Sequence, residues 1–169
     1  MLRPERATRA VAPVPARLAK PAPAPSPAVA SVSAAAQAAA ASDDRRRVLM
    51  AQGLEAAQAG DLREAARLFT RAVDLDPADA DAWNSLGVVL IRQEEVTRGM
   101  EALRRALRVR SGHLEAHVNL AVALDRQGRS REAVRHYRAF LDRSPEADPR
   151  RDRVSRRIAE LTPVARSIE

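Results

Sequence analysis

The feature that most constrains this chain is self-similarity at a spacing of 34 residues. At that offset Gly53 falls on Gly87 and Ala121, Ala65 on Gly99 and Ala133, and Phe69 on Leu103 and Tyr137. Ala72 falls on Ala106 and Phe140, Pro77 on Ser111 and Pro145, and Gly60 on Glu94 and Gly128. Three units, 46–79, 80–113 and 114–147, follow one another without insertion. A fixed period of this length signals supersecondary units that cannot bury their apolar faces alone and must stack on their neighbours.

Each unit reads as two helices. Ser42 is placed to cap a first helix with Asp43 and Asp44 in its opening turn, where carboxylates suit the helix dipole. That helix should stop near Gly60, and Asp61 with Glu64 makes a capping box for the second. Leu62, Ala65, Ala66, Phe69, Ala72 and Val73 then recur at three-to-four spacing and define an apolar face. Asp76-Pro77 should end the unit and open the next helix, with Ser111 and Ser130 as the corresponding caps further on. Gly53, Ala65 and Ala72 are small where two antiparallel helices would approach, and Leu49, Leu62 and Phe69 fill the space around them. After the third unit, Asp148-Pro149 opens a final helix, 149–161, with Val154, Ile158 and Leu161 as its apolar stripe. Arg150, Arg151, Arg153, Arg156 and Arg157 supply the wetted remainder expected of a helix that closes a stack.

These residues resemble the tetratricopeptide repeat family. Its Trp, Leu, Gly and Tyr columns read as Trp83, Leu86, Gly87 and Leu90 in the second unit; its Ala, Phe, Ala and Pro columns read as Ala65, Phe69, Ala72 and Pro77 in the first. Glu94, Gly99 and Ser111 replace Gly, Ala and Pro, so the second unit is expected to be less rigid. In the first unit Leu49, Gln52 and Ala56 stand in the aromatic, Leu and Tyr columns. The resemblance implies an all-α superhelix of about seven helices over 43–162, and a non-catalytic scaffold that holds a partner's peptide or helix in a concave groove. The inner face carried over from the family comprises Arg47, Met50, Leu54, Ala57 and Gln58, then Asp81, Asn84, Ser85, Val88, Ile91 and Arg92, then Glu115, Val118, Asn119, Val122, Asp125 and Arg126. Met50, Leu54, Val88, Ile91, Val118 and Val122 would floor it. Asp81 and Glu115 would mark one rim, Arg92 and Arg126 the other, and Asn84 and Asn119 would hold the partner's backbone. The family's clamp for an acidic chain terminus uses Lys, Asn, Asn, Lys and Arg; the matching positions here are Met50, Leu54, Ser85, Glu115 and Asn119. A terminal carboxylate is therefore not the expected ligand.

Residues 1–42 differ in kind. They carry Arg3, Arg6, Arg9, Arg17 and Lys20 against Glu5 alone, with 7 of the 11 Pro and 16 of the 36 Ala. The alternation Pro21 to Pro27 removes backbone donors and fixes φ, which makes an extended spacer. Ser33 to Ala41 is helix-prone but too short to be stable alone, so residues 1–42 read as a disordered tether, and residues 163–169 as a C-terminal tail. Pro21 to Ser42 lacks charge, yet four Pro and mostly Ala make it too weakly apolar to span a bilayer. A secretory-signal reading would use Val29–Ala41, but the charged, Pro-rich stretch before it is long for that role. The expectation is a cytoplasmic chain.

Other chemistry was sought. No Cys is present, which excludes disulfides, a Cys-built zinc site and thiol chemistry. His113-Leu-Glu-Ala-His117 places its Glu one position too late for a zinc protease; His117 stands at a packing position, and His136 is expected on the surface. Asp74, Asp76, Asp79 and Asp81 lack the central Gly and closing Glu of a calcium loop and read as helix-end chemistry. No phosphate-cradling loop or nucleophile motif occurs, so neither enzyme activity nor a cofactor or metal is expected. The alternative to a groove adaptor is a nucleic-acid or anionic-surface binder working through the basic tail and the Arg-rich last helix; a nucleic-acid partner is not expected, because no aromatic residues interleave with the arginines. Stacking of the units end to end into a homo-oligomer is a further possibility.

Overall fold

A computed structural model describes residues 27–162, with side chains from residue 36 onward. Most of the Pro-rich spacer, the basic residues before it and the tail 163–169 lie outside the described residues. Among the described residues there are seven helices and no strand: α1 (Pro27–Ala59), α2 (Leu62–Leu75), α3 (Ala80–Arg92), α4 (Val96–Val109), α5 (Leu114–Arg126), α6 (Ser130–Leu141) and α7 (Arg151–Leu161). None of them is long and apolar enough to cross a membrane. The stacked helices belong to one compact unit that begins at Gln37. Short turns force successive helices antiparallel. α3 packs on α4 and α5 on α6, and α2 against α3, α4 against α5 and α6 against α7 continue the stack.

The helix boundaries correct several expectations. α1 does not begin after Ser42 but runs through it from Pro27, which takes the first helical position where a missing N–H costs nothing. Ser33–Ala41 was weighed as an isolated helix. It is instead the continuation of a helix whose far end packs through Leu49 and Ala57, and adding Ala to an existing helix avoids the cost of nucleation. Asp43 and Asp44 thus sit inside the helix and pair one turn on with Arg46 and Arg47. Asp61 caps α2 by accepting from the Glu64 N–H at 3.0 Å, but the Glu64 carboxylate turns to Arg67, so only half of the capping box forms. Pro77 lies in the turn before α3, whose cap is Asp79, accepting from Ala82 N–H at 2.9 Å. His113, not Ser111, caps α5; Arg129 precedes α6, leaving Ser130 as its first residue; α7 starts at Arg151, two residues later than expected.

Two apolar clusters meet at Trp83. One gathers Leu49, Ala65, Phe69, Ala72 and Leu86; the other gathers Leu103, Leu120, Leu124, Tyr137, Phe140 and Val154. Trp83 packs on both, and its indole N–H donates to the Pro77 carbonyl at 2.9 Å. The helix pairs are drawn together by missing side chains. A Cβ on Gly53 would lie 2.7 Å from the Phe69 ring, one on Gly87 2.7 Å from Leu103, and one on Gly99 2.7 Å from the Gly87 carbonyl oxygen. Gly99 therefore does not loosen the second unit: with Gly87 it permits a close crossing. The turns between paired helices use a left-handed residue, Gly60 (φ 84°), Glu94 (φ 68°) and Gly128 (φ 72°), and the next N–H after Glu94 and Gly128 closes back on Leu90 and Leu124.

Leu103 is fully buried, and Leu103→Ala should lower unfolding stability by about 2–5 kcal/mol in denaturant titration. Glu94 carries a side chain in a conformation glycine adopts freely, so Glu94→Gly should raise stability by up to about 1 kcal/mol, read as a higher denaturant midpoint.

Candidate protein-binding groove

The inner face is built by the first helix of each pair, because each second helix packs behind it. Between α1 and α3 lies an open cavity of about 370 Å³ lined by Leu54, Ala57, Gln58, Asn84, Ser85, Val88 and Arg92, with Phe69 and Val89 at its back. Leu54 is 55% exposed at the mouth. Asn119 Nδ2 on α5 donates to Asn84 Oδ1 on α3 at 2.9 Å, so these amides hold each other across the repeat boundary. Arg92 Nη1 donates to the Ala57 carbonyl at 3.2 Å, and no carboxylate among the described residues pairs with it.

Of the eleven groove residues singled out from the sequence, Leu54, Asn84, Val88 and Arg92 line this cavity. Met50 is half-buried against the first apolar cluster. Ile91 is not on the floor: it turns toward α4, where a Cβ on Gly99 would lie 2.6 Å from its Cγ1, because Gly99 leaves the space an alanine would fill. Val122 lines a second cavity of about 300 Å³ between α5 and α7, with Val118, Asp125, Tyr137, Arg153, Val154 and Arg157. Sequence reasoning missed the α7 and α6 walls of this cavity; the signal was that α7 follows the third unit where another first helix would stand. Only the acidic rim is paired. Asp81 binds Arg110 at 2.6 Å and Glu115 lies 3.4 Å from Arg150, while Arg126 is exposed.

α7 is fixed by more than its apolar stripe. Arg157 donates to both Asp125 oxygens at 2.7 and 2.8 Å, and holds that carboxyl below the usual range. Arg151 donates to the Leu141 and Ser144 carbonyls, and Arg150 drives Asp148 down to about 2. Charge also separates by helix. α4 carries Arg98, Arg104, Arg105 and Arg108 against Glu101, and α6 carries Arg131, Arg135 and Arg138 against Glu132. The inner helices α3 and α5 hold only Arg92 and Arg126 against Asp81, Glu115 and Asp125.

Comparison with known proteins places this architecture. The family described as Tetratricopeptide repeat matches residues 50–113 and 99–149, and the chain belongs to that family. Among curated proteins it is similar to human PEX5-related protein, 29% identical over 94 residues, covering 56% of this chain and 15% of that protein. It is likewise similar to the peroxisomal targeting signal receptor of Yarrowia lipolytica, 34% identical over 77 residues, covering 45% of this chain and 13% of the receptor. The chain thus spans less than a sixth of these relatives' length. Two solved structures share the fold at 16% identity. The Arabidopsis OM64 TPR domain has a TM-score of 0.67 and covers 72% of this chain and 99% of that one. The first TPR of Spaghetti (RPAP3), bound to the HSP90 peptide SRMEEVD, has a TM-score of 0.64 and covers 70% and 90%.

The three histidines cluster at the third helix pair. His113 Nδ1 accepts from the Ala116 N–H at 3.5 Å, so it faces its own helix end rather than His117. His117 Nε2 donates to the Ser111 carbonyl at 2.9 Å, which leaves its Nδ1 to accept from His136 Nδ1 at 3.1 Å. His136 is therefore half-buried, contrary to a surface position. Among the described residues no three His, Cys, Asp or Glu side chains gather as metal ligands. Burial, then the neighbouring His117, Arg135 and Arg104, push His136 down to about 4. A folded-state value below the unfolded value of 6.5 means the unfolded chain takes up the proton first. Stability should therefore fall as pH drops from 6.5 toward 4, by about 1–2 kcal/mol from this group once solvent screening of a half-buried ring is included. Urea titrations of the chain and of His136→Gln should show that part of the decline disappearing in the variant.

Proposed function

We propose that this chain is a cytoplasmic, non-catalytic adaptor that holds one segment of another protein along its inner face. The observation that carries the reading is the open cavity between α1 and α3, whose floor is apolar and whose edge offers the Asn84 amide, Ser85, Gln58 and Arg92. A pocket with an apolar floor and a few polar groups takes a side chain and orients the backbone beside it. Because Asn119 occupies the Asn84 oxygen, the Asn84 N–H groups face a ligand as donors. Support comes from a structural neighbour that holds a bound HSP90 peptide, and from relatives named as receptors of a targeting signal. The segment we infer is apolar and internal, not a chain terminus: Met50, Leu54, Ser85 and Glu115 stand where a terminal-carboxylate clamp needs cations and amides.

The rival reading used the Arg-rich last helix as an anion-binding face. Arg150, Arg151 and Arg157 are instead committed to Asp148, to backbone carbonyls and to Asp125, which gives that helix a fastening role. Selection of displayed peptides on the full chain should yield sequences sharing an apolar residue. Val88→Glu should weaken their binding by roughly tenfold or more without lowering the melting temperature. Ile91→Glu should unfold the chain instead, since that side chain packs against α4. Undiminished peptide binding by a folded Val88→Glu variant would reject the groove.

A further inference from the structure

We infer a second interaction surface on the opposite side of the stack, where α4 and α6 present arginines to the phosphate backbone of a nucleic-acid duplex. Taken together the groove helices α3 and α5 hold more carboxylates than arginines, whereas α4 and α6 behind them each hold more arginines than carboxylates. Arg131, Arg135 and Arg138 on α6 are exposed and Arg104 on α4 is half-buried. Arg104, Arg131 and Arg138 have no carboxylate within ion-pair distance among the described residues, and Arg135 has only Glu132 at 3.8 Å. Arg104 and Arg138 lie 34 residues apart and so occupy the same register of successive repeats. α4 and α6 are the second helices of successive pairs, so their matching positions fall on one side of the stack.

Three observations choose the occupant. An acidic protein would need an apolar anchor, but of the exposed large apolar side chains only Val109 lies on these helices, at the very end of α4. The cations are all arginine, whose planar fork matches phosphate oxygens in pairs. A single strand would require exposed aromatic platforms. Phe69, Tyr137 and Phe140 are buried, and half-buried Trp83 lies under the Arg105 guanidinium at 5.7 Å. We therefore assign the face to a double helix held through its phosphates, without reading of base sequence; equal binding to vesicles of anionic lipid would overturn that choice.

The test is fluorescence anisotropy of the full chain with mixed-sequence DNA and RNA duplexes across a salt series. Affinity should fall linearly on logarithmic axes with salt, and the slope should lose about one unit for each contacting arginine removed. Arg104→Gln with Arg138→Gln, and Arg131→Gln with Arg135→Gln, should each weaken duplex binding at low salt by roughly tenfold at unchanged melting temperature. Replacing Arg3, Arg6, Arg9, Arg17 and Lys20 by Ala should leave that dependence in place, and Val88→Glu should leave duplex binding intact while losing the peptide. Unchanged binding by the folded α4 and α6 variants, loss of all binding with the tail substitutions, or equal capture of a polyglutamate peptide would each overturn the assignment.

Discussion

Everything in this structure depends on how closely two helices can cross when one of them lacks a side chain. At Gly53 the vacant position is filled by the Phe69 ring, and at Gly87 by Leu103 and the backbone at Gly99. That proximity lets Ala65, Ala72, Ala106 and Ala133 vanish from the surface although each offers only a methyl group. Dense packing across a short distance substitutes for the bulk that four aromatics cannot provide. The same crossing fixes the direction each first helix faces, and with it the cavity beside Val88.

Polar groups then lock one pair to the next. The Asn84–Asn119 bond and the reach of Arg92 to Ala57 span neighbouring units at nearly one repeat's spacing, and Asp125–Arg157 does the same between α5 and the closing helix. Such partly shielded, hydrogen-bonded pairs hold geometry more than they add stability. Of these side chains Asn84 and Arg92 still line the cavity beside Val88, whereas Asp125 is fully committed to Arg157. Glu115 and Asp81, tied to Arg150 and Arg110, therefore contribute shape to the rim more than field.

The histidines and arginines give the two sides of the stack different chemistry. The inner side is nearly neutral, apolar at its floor and lined with donors at its edge. The side behind it is cationic, with the His117–His136 pair kept neutral by burial and by the arginines around it.

The repeat period, the helix pairing and the tight positions at Gly53, Ala65 and Ala72 were legible in the sequence, because a 34-residue recurrence of small and large side chains has few packing solutions. So was the apolar stripe of α7; Leu54, Asn84, Val88 and Arg92, expected on one face from the resemblance, line the cavity between α1 and α3. Helix ends were less legible: an Ala-rich run has no boundary of its own, and only docking of Leu49 and Ala57 made α1 continue back to Pro27. Ile91 was unreadable for a similar reason. Its three-to-four spacing suits the groove and the α4 interface equally, and the missing Cβ of Gly99 drew it to α4. Sequence period alone determined which residues recur; tertiary packing decided which recurring residues are used up in holding the stack and which are left to meet a ligand, because that depends on distances between helices that no local pattern encodes.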